Sequence, residues 1–166
     1  PHGTPPFDLI KIKHFIPAVE QGLKEAKTGV DAIINNTAAP TFKNTILALE
    51  LNGKKLSRIV SVLMNMNSSL TSKELQQVIM TLLPKYMMYQ NYISLNPKLL
   101  ARINAVYKQK DQLKLNPEQQ KLLENAYKGF VRSGANLKGE QKKEYQKVTT
   151  ELAQLGQLFQ KNVLAD

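Results

Sequence analysis

The 166-residue chain has no cysteine and no tryptophan. The missing cysteine excludes disulfide bonds and thiolate metal sites, and it does not choose between a cytoplasmic and a periplasmic setting. Acidic side chains are scarce: Asp and Glu number 13 against 23 Lys and Arg, a formal net charge of +10. No apolar run is long enough to cross a bilayer. There is no Gly-rich phosphate loop and no His-Glu-x-x-His, and the only two histidines, His2 and His14, stand far apart without a carboxylate pattern between them. His2 lies in the N-terminal tail, and His14 reads as a residue at the start of a helix. Long Gly/Ser or Pro-rich linkers, low-complexity tracts and internal repeats are also absent. Nothing here assigns a catalytic, cofactor-binding or metal-ligating residue.

What is present is enough apolar material, 42% of the residues, to build a core in one domain of this size. The basic excess permits nucleic-acid or anionic-membrane binding. Its distribution argues otherwise, because the lysines are spread over every segment and interleaved with Gln, Asn and Glu. The densest region carries Lys98, Arg102, Lys108, Lys110 and Lys114 with one aromatic, Tyr107. That is a poor base-stacking platform and reads as a solvated helix face.

The periodicity predicts an all-α fold: about six helices in an antiparallel bundle over residues 11–166, after an extended tail over residues 1–10. Helix one spans about Lys13 to Asn35, with Pro17 in its first turn, where a missing N–H is harmless. Helix two spans Thr41 to about Ser68. Asn52-Gly53 within it is a strong hairpin signal, yet Phe42, Ile46, Leu49, Gly53, Leu56, Val60 and Leu63 keep helical spacing, so one long helix is expected to run through the glycine. Gly53, on the apolar face, would let another helix come close at a cost of about 1 kcal/mol.

Helix three opens at a capping box, Thr71-Ser72-Lys73-Glu74, and presents Leu75, Ile79, Leu82, Tyr86, Tyr89 and Ile93. Pro84 should kink it without ending it. Asn96-Pro97 and Asn116-Pro117 each read as an N-cap followed by proline, opening helices four and five. Gly134 closes helix five. Helix six carries Tyr145, Val148, Leu152, Leu155, Phe159 and Val163 and reaches Asp166, whose charge opposes the helix dipole. That ending reads as a cut through a longer helix. The Tyr86–Tyr92 segment, rich in Tyr and Met, reads as core beside the kink, with a peptide-groove wall as the alternative.

Several separated stretches together carry a resemblance. FDLIKIKHFIPAVEQGL, APTFKNTILALELNGKKLSR, LPKY…ISLNPKLLARI, LNPEQQKLLENAYKGFVRSGANL and QLGQLFQKNVLAD are similar, in order and spacing, to the N-terminal region of thimet-oligopeptidase-like zinc metallopeptidases. Within that group the likeness is greatest to bacterial peptidyl-dipeptidases, then to oligopeptidase A. The resemblance implies a helical, clam-like enzyme whose zinc, held by His-Glu-x-x-His and a downstream Glu, activates water in a channel between two lobes. It implies that all of this chemistry lies beyond the matched region, so this chain supplies no catalytic residue and no zinc ligand.

The partners it implies are the catalytic domain of the same polypeptide and, in the whole enzyme, short peptides. Neither nucleic acid nor a membrane span is expected. A surface uncovered by truncation, on helix six or on Tyr86–Tyr92, would be apolar and could pair two copies. Two other readings stay open: a stand-alone helical interaction module, and a weak basic nucleic-acid binder.

Overall fold

The computed structural model describes residues 5–70 and 72–163, and every regular element among them is helical. A short 3-10 turn, Ile12–His14, leads into α1, Phe15–Ile34. A π-helical segment, Phe42–Leu47, continues into α2, Ala48–Leu51. Then come α3, Lys54–Ser69, α4, Lys73–Ser94, α5, Pro97–Lys108, α6, Pro117–Arg132, and α7, Gly139–Val163. The result is an all-α bundle.

Local sequence rules account for most of the boundaries. Asn96 accepts from the N–H groups of Lys98 and Leu99, and Asn116 from that of Gln119, each ahead of a proline at the first helical position. At the end of α6, Gly134 adopts φ +77°. The Gly134 N–H donates to the Val131 carbonyl, 3.3 Å, and the Ala135 N–H to the Phe130 carbonyl, 3.2 Å, which is a Schellman stop. Ser72 caps α4 by accepting from the Leu75 N–H at 3.1 Å. Thr71, placed in a capping box from sequence, lies outside the described residues. α4 passes through Pro84 and continues to Ser94 as one helix.

The long second helix does not run through. Asn52 has φ −67°, ψ 140° and Gly53 has φ 76°, ψ 0°, the dihedrals of a type II turn set between two helical pieces. The chain therefore neither reverses nor continues straight; it jogs and restarts at Lys54. The apolar face survives the jog, with Ile46, Leu56 and Leu63 all buried, which is why the spacing looked unbroken. Gly53 is required for its left-handed backbone. The close approaches belong to α1 instead: a Cβ on Gly22 would lie 3.2 Å from Leu56 Cδ1, and one on Gly29 would lie 2.0 Å from Asn52 Oδ1.

The jog separates two core clusters. One joins Phe15, Val19, Ala26, Leu56, Leu63, Leu75, Val78 and Leu82; the other joins Val30, Ile33, Ile46, Leu99, Ile103, Val106, Leu123, Phe130 and Ala135. α1 and α4 pass through both, and Tyr89 packs against both. Between them the Asn52 amide lies on Gly29, donating to the Ala26 carbonyl at 2.9 Å and reaching the Tyr89 hydroxyl at 3.4 Å.

A second correction concerns Arg102. It is not on a solvated face; only 9% of it is exposed. Its guanidinium donates to the Asn36 carbonyl at 2.7 Å, the Ala38 carbonyl at 3.3 Å and Asn44 Oδ1 at 3.2 Å, pinning the link between α1 and the π-helical segment. The same Asn44 oxygen accepts from the Thr41 N–H at 2.8 Å, so Arg102 also braces the cap of that segment. Charge-assisted bonds of this kind outweigh surface ion pairs.

Chemical denaturation tests both points. Gly53→Ala should destabilise by about 1 to 2 kcal/mol, the cost of a side chain in the left-handed region. Gly129→Ala, mid-helix with nothing within 4 Å of the added Cβ, should stabilise by roughly 0.5 to 1 kcal/mol. Arg102→Met should cost about 2 to 3 kcal/mol by stranding the Asn36 and Ala38 carbonyls.

Candidate functional site: committed donors and one uncovered helix face

Several of the groups able to do chemistry are held by structural partners. His14 Nδ1 accepts from the Lys11 N–H at 3.2 Å. Asp31 accepts from Lys27 at 2.8 Å on one oxygen and from the Tyr92 hydroxyl on the other. These bonds, Lys27 first and Tyr92 second, hold the Asp31 carboxyl below its usual range. Tyr92 is correspondingly pushed up, chiefly by the bond to Asp31, while Lys27 also lies 4.6 Å over its ring. Glu25, bonded by Lys55 and Gln21, and Glu124, bonded by Lys128 and Lys121, are lowered as well.

Among the described residues no three His, Cys, Asp or Glu side chains stand close enough to hold a metal ion. His2 lies outside the described residues.

The Tyr86–Tyr92 segment divides. Tyr86, Met87, Tyr89 and Tyr92 are half-buried and Met88 faces solvent. Burial raises the Tyr89 hydroxyl pKa, with Tyr86 adding to it and the Asn52 bond opposing it. Tyr86, Tyr89 and Tyr92 pack, half-buried, against the two core clusters. An open cleft of about 560 Å³ lies between the Lys110–Gln112 turn and α6. It is lined by Tyr107, Lys110, Asp111, Lys121 and Glu124, among others, and its charges are mixed. Above it Tyr107 stacks on Tyr127 with ring centroids 3.9 Å apart.

The largest uncovered feature is on α7. Val148, Leu152, Leu155 and Phe159 are each at least half exposed and fall on one side of the helix. A groove of about 630 Å³, lined by Leu137, Glu140, Gln141, Glu144, Tyr145 and Val148, opens at its start. The helix is tied to the bundle near that start, where Lys142 Nζ donates to the Leu95 carbonyl at 2.8 Å. The apolar surface expected on this helix is present; its end at Asp166 lies outside the described residues. No described helix is long and apolar enough to cross a membrane.

Arg102 and Asn52 were missed from sequence, for different reasons. Arg102 falls in step with Leu99, Ile103 and Val106, so a charge at a core position was legible. Nothing near Asn52 says that its amide would reach back to α1.

The family model for the neurolysin/thimet oligopeptidase N-terminal domain matches residues 15–142. Dipeptidyl carboxypeptidase of Salmonella typhimurium is 38% identical over 99% of this chain, and that of Escherichia coli is 35% identical over the same share. Oligopeptidase A of Salmonella typhimurium is 29% identical over 98% of the chain. In each case the chain spans 24% of the relative's length.

The Asp31 cluster makes a pH prediction. A carboxyl with a depressed folded pKa contributes stability above its unfolded pKa, about 3.9 for Asp, and that contribution is lost as pH falls through the folded value. Asp31→Asn should therefore flatten the loss of stability seen by thermal melting as pH falls below about 4. Tyr92→Phe should flatten it less, because Lys27 is the larger cause.

Proposed function

Since the chain belongs to the family of neurolysin/thimet oligopeptidase N-terminal domains, we propose that it is the non-catalytic helical N-terminal region of a zinc metallopeptidase acting on short peptides. In this reading it helps wall the channel that admits those peptides and keeps folded proteins out. The zinc and the general base belong to the remainder of such an enzyme, which also makes that catalytic portion the domain's partner. The observation that carries the proposal is the match along nearly the whole chain to about a quarter of two kinds of bacterial peptidase, the dipeptidyl carboxypeptidases and oligopeptidases A. The structural commitment of His14, Asp31, Glu25 and Glu124 agrees with a supporting role. Release of dipeptides from a free C-terminus is favoured over internal cutting, because the dipeptidyl carboxypeptidases share more of this sequence than the oligopeptidases do.

A chimera tests this. Residues 1–166 would replace the matched quarter of the Salmonella dipeptidyl carboxypeptidase. The product should hydrolyse a short peptide within about tenfold of the parent rate, which is a barrier change of about 1.4 kcal/mol, and a chelator should abolish the activity. The 166-residue chain alone, supplied with zinc, should give no cleavage above a chelated control; cleavage there would overturn the proposal. Loosening the domain in the chimera with Gly53→Ala should raise cleavage of longer, folded substrates relative to short peptides. Unchanged selectivity would remove the channel-wall role.

A further inference from the structure

The exposed face of α7 has a finer pattern than an apolar patch. Tyr145, Val148, Leu152, Leu155 and Phe159 follow one another by three, four, three and four residues, the a/d spacing of a helix-packing seam. Exposures of 50% for Val148, 68% for Leu152, 62% for Leu155 and 69% for Phe159 leave this seam without a partner. At position 156, beside it, Gly156 has nothing within 4 Å of an added Cβ, so another helix could approach closely on that side. The groove at Tyr145 and Val148 continues the seam toward the bundle.

Charge selects the occupant. Glu144 and Glu151, seven residues apart, flank the seam on the opposite side from Thr149 and Gly156. Neither forms an ion pair with a described residue, although the chain carries ten excess positive charges. A second copy would not satisfy them. In a parallel pair they would face Thr149 and Gly156 of the other copy; in an antiparallel pair the acidic edge would face itself.

We infer that the Tyr145–Phe159 face of α7 is the docking seam for one amphipathic helix of the peptidase portion, with an apolar a/d stripe flanked by Lys or Arg. The inference rests on the function proposed above, since relatives four times this length supply the remaining polypeptide.

The absence of cysteine makes the test clean: Thr150→Cys, on the side away from the seam, takes a single fluorophore. The probe is a four-heptad synthetic helix with Leu at a and d and Lys at e and g, compared with the same helix carrying Glu. The Lys helix should bind the labelled chain saturably, and the Glu helix at least about tenfold more weakly. Leu152→Glu combined with Leu155→Glu should abolish binding. Because both positions are exposed, the double variant should leave the isolated chain's circular dichroism and melting midpoint unchanged.

In the chimera the same double variant should lower the melting midpoint and the activity. Failure of the Lys helix to bind, or binding that ignores the double variant, overturns the docking seam. So does sedimentation of the chain as a dimer that the double variant dissolves. An active chimera indifferent to the double variant sinks the docking seam and spares the proposed function. An inactive chimera with intact, variant-sensitive helix binding sinks the proposed function and spares the seam.

Discussion

The fold turns on one side-chain amide. Asn52 lies flat on Gly29 and donates to the Ala26 carbonyl, 2.9 Å away on a different helix. The bond is modest, about 1 kcal/mol net for a hydrogen bond of this type. Its importance is positional. It stands where the chain jogs, where the two apolar clusters meet, and where Tyr89 touches both. The jog leaves backbone groups out of the helical ladder, and buried backbone groups must find partners. Asn52 supplies a polar contact at that seam, and Gly29 supplies the space for it.

The second cluster is organised the same way. Arg102 stands among Leu99, Ile103 and Val106, which are essentially inaccessible, and spends its guanidinium on the Asn36 and Ala38 carbonyls and on Asn44. Among the described residues no carboxylate pairs with it. Backbone carbonyls and an amide oxygen engage the two terminal nitrogens without bringing a second charge out of water, and so avoid part of the cost of a buried ion pair, while Nε stays buried without a partner. The ordinary ion pairs, such as Lys55 with Glu25, sit on exposed side chains and add little. Stability therefore rests on apolar burial in two clusters, fastened at Asn52 and Arg102. The basic surplus remains as a dispersed, solvated surface.

That economy fits the supporting role proposed above. Asp31, Glu25 and Glu124 are engaged with neighbouring side chains, and the least satisfied surface is an apolar helix face with acids along one edge. Inside the bundle Asn52 and the terminal nitrogens of Arg102 find partners. On α7 Val148, Leu152, Leu155 and Phe159 do not.

Much of this was legible beforehand. Helical spacing placed α1, α4, α5 and α6, because a 3.6-residue period needs nothing beyond the chain itself. Asn96-Pro97, Asn116-Pro117 and Gly134 marked their boundaries through local hydrogen bonding. The all-α class and the likeness to peptidase N-terminal regions followed from the same letters.

The jog at Asn52-Gly53 was not legible, since a type II turn that preserves the apolar face leaves the spacing intact on both sides. Nor was the bond from Asn52 to Ala26, which joins residues 26 positions apart. The core position of Arg102 could be read from its step with Leu99, Ile103 and Val106, but not which carbonyls of the 36–44 link it would meet. Sequence alone determined which residues wish to leave water and where helices begin and end, because those are local preferences. Which polar group answers which carbonyl, and which apolar face stays uncovered, depend on distances between segments that meet only after folding, so only the tertiary structure decided them.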